Sequence, residues 1–176
     1  MVNSHIVVLG YMGCGKTTVS NKLKAILDLP LFDLDQFIEN EFEMTIAEIF
    51  NTKGQIEFRR IENRCLKILL NKKEKSIISL GGGTPCYHDN MDLVLKYSKN
   101  VFFINTSAEF LSERLFKERD KRPIIKSINS VSKLKEFISK HLFERIVFYN
   151  KANHIIFDSN QGIDNVCKKI INKLNL

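Results

Sequence analysis

No stretch of this chain stays apolar long enough to cross a bilayer. Its longest apolar runs, such as 5–9 and 101–104, fall far below the roughly 18 to 20 residues that a spanning helix needs. The opening Met-Val-Asn-Ser-His lacks the basic-then-apolar pattern of an export signal, so a cytoplasmic protein with no membrane partner is expected. The four cysteines, Cys14, Cys65, Cys86 and Cys167, include neither a C-x-x-C pair nor the spacing of a zinc site, and free thiols in a reducing compartment are the simpler reading. The formal net charge is +7. The lysines behind it are dispersed instead of gathered into one basic segment, which argues against a nucleic-acid partner. There is no internal repeat, low-complexity tract or linker.

Arginine is scarce. Only seven of the 27 basic residues are arginines, and they fall in three places: Arg59, Arg60 and Arg64; Arg114, Arg119 and Arg122; and Arg145. In a chain that uses lysine for solubility, such placement points to sites that need a planar fork for carboxylate or phosphate.

The 176 residues, 44% of them apolar, suit one domain over 1–176 with a sizeable core. Short apolar runs at 5–9, 30–34, 76–80, 101–105 and 154–158 alternate with longer amphipathic stretches at 16–27, 35–43, 46–50, 55–71, 91–97, 108–117, 131–149 and 163–174. This is the pattern of βαβ units and predicts an α/β fold with a parallel sheet. Thr45 and Glu48 form a capping box that sets the start of the third helix. The charged segment 118–129 carries Pro123 and separates helix from helix; it reads as a mobile loop over a site.

Gly10 to Thr17 reads G-Y-M-G-C-G-K-T between an expected strand and an expected helix, the full phosphate-loop pattern in its required context. Gly13, Gly15 and the neighbouring backbone of Cys14 and Thr18 should present N–H groups to phosphate, with Lys16 on the β- and γ-phosphates and Thr17 on Mg²⁺. Cys14, just ahead of a helix N-terminus, is expected to carry an activated thiol that bound nucleotide would shield.

Asp33 and Asp35 sit where the second strand ends, and strand alternation would send both to one side at the ligand-binding edge. They suit a metal-side carboxylate and an acceptor of the attacking hydroxyl's proton, or they merely cap the next helix. Arg59 and Glu62 are helix neighbours at i and i+3, either a held arginine or an ordinary surface pair. Gly81-Gly82-Gly83 follows the third strand directly, a run that close approach of backbone to ligand explains better than a turn does. Arg122, on the charged loop, could neutralise a transferring phosphate or simply be solvated. The spacing around Arg145 supports no role by itself.

Taken in order, G-Y-M-G-C-G-K-T-T, D-L-D, T-I-A-E-I-F, G-Q-I-E-F-R-R-I-E, G-G-G, R-P and E-R-x-x-x-Y resemble the shikimate kinases, P-loop enzymes of the nucleoside-monophosphate-kinase-like group, over nearly the whole chain. The resemblance implies a five-stranded parallel sheet flanked by helices on both faces, an acceptor-binding region over about 35–65 and a lid over about 118–129. It implies ATP and shikimate as substrates, Mg²⁺ as cofactor and the 3-hydroxyl of shikimate as phosphate acceptor. By motif, Asp35 would orient and deprotonate that hydroxyl, with Lys16 and Arg122 as the other catalytic groups. Asp33 would assist Mg²⁺ beside Thr17, with Ser79 near the metal. Arg59 and Arg145 would grip the carboxylate, Glu62 would steady Arg59, and the backbone of Gly81, Gly82 and Gly83 would line the same pocket. Phe50 and Phe58 would wall the ring. The arginine stacked on adenine would be Arg114, ahead of Arg119.

Four positions depart from the family pattern. Val147 stands where a proline is usual, leaving the helix straighter and Arg145 differently aimed. Glu43 replaces a glycine and Gln55 a glutamate, both expected to alter local turns, and Cys14 replaces a common serine. A monomer is expected. A gluconate-kinase-like enzyme and a nucleotide-binding regulator without turnover are the rival readings. The first should not need the F-R-x-x-E, triple-glycine and Arg145 set together, and the intact Lys16, Thr17, Asp35 and Arg122 argue against the second.

Overall fold

A computed structural model describes residues 3–158 and 162–174, the side chains of residues 121 and 123 aside. Its centre is β1 (Ile6–Leu9), the run Ile-Val-Val-Leu, buried along its whole length as an interior strand of a parallel sheet must be. Around it stand β2 (Leu31–Asp33), β3 (Ile77–Ser79), β4 (Asn100–Thr106) and β5 (His154–Asp158), in the order β2-β3-β1-β4-β5 with every pairing parallel. The register sets Val8 between Ser79 and Phe102.

The chain leaves β1 toward one edge of the sheet through α1 (Lys16–Leu27), then works back across it through α2 (Leu34–Phe42), α3 (Ile46–Leu70), α4 (Asn90–Tyr97), α5 (Ala108–Lys117) and α6 (Val131–Tyr149). Because crossovers are right-handed, reversing direction moves the connecting helices to the opposite face. The last helix, α7 (Ile163–Lys173), packs back on α1. The reversal opens a crevice between the carboxyl ends of β1 and β3, where an open α/β sheet binds its ligands. The phosphate loop leaves one of these strands and the triple glycine the other.

All five strands and the capping box appear where the sequence places them, with three differences. The helices expected at 46–50 and 55–71 are one run, Ile46–Leu70, kinked at Gly54, whose φ of 77° and ψ of 169° interrupt the helical path. The second strand stops at Asp33, so Asp35 lies in the first turn of α2, and strand alternation is not what groups the two aspartates. Asp33 caps that helix, accepting from the N–H groups of Asp35 (3.1 Å) and Gln36 (3.4 Å). The segment 118–129 is not loop throughout. It holds two short 3-10 turns, Arg119–Lys121 and Pro123–Ile125, and Ile125 is fully buried, pinning the segment to the core.

Two of the departures are visible as backbone. Val147 is 62% exposed on an unbroken α6, so the missing proline costs the helix nothing. Glu43 closes α2 at φ 51° and ψ 33°, a left-handed geometry that suits the glycine usual there, and its N–H still reaches Glu39 O. A side chain in this region costs about 1 kcal/mol. Glu43→Gly should therefore raise the melting temperature by about 2 to 4 °C and leave turnover unchanged; a lower melting temperature would show that Glu43 contributes contacts that outweigh its backbone strain.

Candidate active site

The phosphate loop turns sharply from β1 into α1, with Gly15 at φ 91° and ψ 13° as the residue before the helix. Only glycine takes that geometry without strain. Lys16 Nζ donates to the carbonyls of Gly10 (2.9 Å) and Tyr11 (3.0 Å), which holds the ammonium inside the loop's concavity. A cavity of about 300 Å³ opens over the loop, lined by Gly13, Gly15, Lys16, Thr17, Thr18, Asp33, Asp35, Arg114 and Arg122 among others. Arg122 Nη2 donates to Glu118 (3.0 Å), and Arg114 Nε lies 3.9 Å from the other oxygen of the same carboxylate, so one acid sets both arginines. Arg119 lies outside the cavity with its guanidinium 4.4 Å from the Phe116 ring.

Cys14 does not behave as the sequence suggests. Its thiol turns inward beside Gly10 and is 2% exposed, and its N–H is taken by Tyr11 O at 3.2 Å. Its place in the loop is that of a packing residue.

A second cavity of about 210 Å³ adjoins the first and shares Met12, Asp35, Gly81 and Gly82 with it. Its walls bring together Phe50, Phe58, Arg59, Glu62, Gly83 and Arg145, residues spread over nearly a hundred positions of sequence, with Ile124 arriving from the lid segment. Phe50 and Phe58 lie against each other with centroids 4.3 Å apart. Arg59 donates to Glu62 at 2.7 Å, and Glu62 is 1% exposed, which makes this a buried ion pair and not the surface pair its spacing allows. The other Glu62 oxygen accepts from Thr84 Oγ1 (2.7 Å). Tyr87 completes the clamp, its ring 3.8 Å from the guanidinium and its hydroxyl accepting from Gln55 (3.1 Å). The Gln55 departure therefore bears on a side-chain contact from α3 to Tyr87, just past the turn after β3.

The three glycines serve close approach, though chiefly of protein to protein. A Cβ on Gly81 would stand 2.8 Å from Asp35 Oδ1, one on Gly82 3.3 Å from Met12 N, and one on Gly83 2.9 Å from Arg59 Nη2. Tyr149, buried at the end of α6, donates its hydroxyl to Gly82 O and fixes this turn. The sequence shows Tyr149 in its motif but gives it no task. Thr84, Tyr87, Glu118, Tyr11 and His141 are likewise legible only once the chain is folded.

Asp35 stands on the wall common to both cavities. Burial, then the neighbouring carboxylates of Asp33 and Glu62, push its carboxyl up from the ordinary 3.8 to about 6, against the pull of Lys16 and Arg59. A carboxylate poised there can take a proton from a hydroxyl near neutral pH. Among the described residues no group of three or more His, Cys, Asp or Glu could hold a metal by itself. Thr17, Asp33 and Ser79 border one groove beside the loop, and among the described residues the buried Ser79 Oγ has no partner.

Residues 12–175 match the protein-family model described as shikimate kinase. This chain belongs to the shikimate kinase family. It is 41% identical to a shikimate kinase of Flavobacterium johnsoniae over 169 residues, 96% of this chain and 98% of that one. The fold superposes on shikimate kinase from Bacteroides thetaiotaomicron with a TM-score of 0.88 at 33% identity, covering 98% and 99% of the two chains. With shikimate kinase from Acinetobacter baumannii in complex with shikimate the TM-score is 0.85 at 26% identity, covering 98% and 93%. Membership accounts for the paired cavities, one bordered by a phosphate loop and the other by two arginines.

The buried thiol yields a direct test. Iodoacetamide should label Cys14 slowly in the native protein, at a rate that ATP leaves unchanged, as measured by mass spectrometry of its peptide. Fast labelling that ATP suppresses would restore the activated thiol.

Proposed function

We infer that the chain transfers the γ-phosphate of ATP to the 3-hydroxyl of shikimate, giving shikimate 3-phosphate and ADP. The observation that carries this reading is Asp35, set between a phosphate-binding cavity and a cavity that presents two guanidinium groups and an apolar wall.

In this reading the loop N–H groups and the N-terminus of α1 hold the phosphates, and Lys16 leaves its two carbonyls for the β- and γ-oxygens. Arg114 flanks the base. Arg122, held by Glu118 within reach of the same cavity, neutralises charge on the transferring group. Thr17, Asp33 and the unpartnered Ser79 hydroxyl suit Mg²⁺, a hard cation that takes few protein oxygens and keeps its waters. When bound, Mg²⁺ supplies charge neutralisation to the phosphates.

On the acceptor side Arg59 and Arg145 take the carboxylate, and Phe50 and Phe58 cover the ring. Arg59 arrives already aimed, because Glu62, Thr84 and Tyr87 fix its plane, so little side-chain entropy is lost on binding. Asp35 receives the hydroxyl proton as the oxygen attacks phosphorus. Action as a monomer in the cytoplasm is part of this reading, and the unpaired cysteines suit a reducing compartment. A gluconate-kinase-like reading leaves the Arg59–Glu62–Thr84 clamp without a purpose.

ADP release should be fast with shikimate and at background with gluconate or nucleoside monophosphates. Turnover on gluconate at the shikimate rate would remove the assignment. The raised Asp35 pKa predicts that kcat/KM falls about tenfold per pH unit below about 6. The same group affects stability with the opposite sense. A folded pKa above the unfolded one contributes stability in acid that is lost as pH rises through about 6. Asp35→Asn should thus abolish most turnover yet stabilise the fold at pH 7.5, by on the order of 2 kcal/mol, with the gain gone by about pH 3, below the unfolded pKa. A variant melting below the parent at pH 7.5 would mean that the Asp35 carboxylate is not strained in the fold.

A further inference from the structure

The two arginines of the acceptor cavity are held in different ways. Arg59 has a buried carboxylate, whereas among the described residues no acid pairs with Arg145. Its full charge is left for the acceptor, and something else must aim it. Phe137, His141, Arg145 and Tyr149 follow one another at four-residue steps along α6, so they form a single ridge. Tyr149 closes one end of the ridge, its hydroxyl donated to Gly82 O. From the other end comes Tyr11 of the phosphate loop, 1% exposed, its ring 5.4 Å from the Arg145 guanidinium carbon and its hydroxyl 3.2 Å from His141 Nδ1. His141 in turn lies against the Phe137 ring at 4.1 Å.

We propose that Tyr11 and His141 are a positioning pair that fixes Arg145 over the acceptor cavity and ties α6 to the phosphate loop. A tyrosine hydroxyl at a buried site needs a partner, and His141 is the one present. The ring then offers Arg145 an electron-rich surface in the absence of a carboxylate. Burial and the Arg145 charge hold the His141 pKa below its ordinary value, so the imidazole is neutral at pH 7 and adds no competing cation beside the arginine. Tyr11 also accepts from Lys16 through its carbonyl, so one residue touches both the lysine of the phosphate loop and the arginine of the acceptor cavity.

This inference rests on the reading of Arg145 as a carboxylate ligand, and the test separates the two. Kinetics with shikimate and ATP varied independently would compare Tyr11→Phe, His141→Leu, the double variant, His141→Asn and Arg145→Lys. Loss of one hydrogen bond predicts that Tyr11→Phe and His141→Leu each raise KM for shikimate about three- to tenfold, with kcat and KM for ATP within about twofold. The double variant should be no worse than either single, because the two residues act through one bond. His141→Asn, whose amide can reach the same hydroxyl, should stay near the parent, which a loss of folding at this half-buried site would not reproduce. Singles that multiply in the double variant, or that change kcat or KM for ATP and spare KM for shikimate, overturn the pair. If Arg145→Lys raises KM for shikimate while Tyr11→Phe and His141→Leu do not, the pair alone falls. If Arg145→Lys is itself without effect, the carboxylate reading falls and takes the pair with it.

Discussion

Three missing side chains govern this site. Where the chain leaves β3, Asp35, the backbone of the phosphate loop and the guanidinium of Arg59 all come within about 3.3 Å of where Cβ atoms would stand at Gly81, Gly82 and Gly83. Real Cβ atoms tolerate almost no approach under 3.0 Å; at Gly81 and Gly83 the atoms met are the side-chain ends of Asp35 and Arg59, and at Gly82 they are backbone of the phosphate loop. The spacing of Asp35, the phosphate loop and Arg59 is thus arranged around a strip of bare backbone. Tyr149 holds that strip from the opposite side.

Charge is arranged around the same strip with unequal balance. Glu62 is buried but has Arg59 and Thr84 as partners; Asp35 is crowded by two other acids and has no such fixed partner, and its pKa rises. A buried ion pair of the first kind adds little to stability but makes the loss of either member costly. The second kind is unfavourable for the fold and useful for chemistry, since a carboxylate strained in its charged form accepts a proton readily. The fold thus bears the cost of one acid and is neutral toward the other.

How far the sequence could be read follows from how local each determinant is. The phosphate loop, the Thr45–Glu48 box and the run of buried strands are encoded by neighbours in sequence, and each formed where expected. Asp33 and Asp35 do border one cavity, but strand alternation does not put them there, because a three-residue strand hands over to a helix between them. The direction in which Cys14 points depends on Gly10 and on the tertiary burial of the loop, and spacing carries no trace of either. The ridge on α6 has a regular period, but its partner Tyr11 lies some 130 residues away. The sheet order that brings α6 alongside the loop after β1 is what sets the ridge against Tyr11.

The joint at Gly54 divides the acceptor wall. Ile46 and Phe50 lie on the short arm before it, Phe58 and Arg59 on the long arm after it, and among the described residues nothing packs within 4 Å of a Cβ placed at the joint. The short arm carries no residue of the phosphate-binding cavity. The two cavities share Met12, Asp35, Gly81 and Gly82, but this arm belongs to the second one alone. Substitutions over 46–53 can remodel the space offered to the ring while the strand-borne phosphate machinery is untouched, so this arm is where selection could redirect the enzyme to a differently shaped alcohol with the fewest changes.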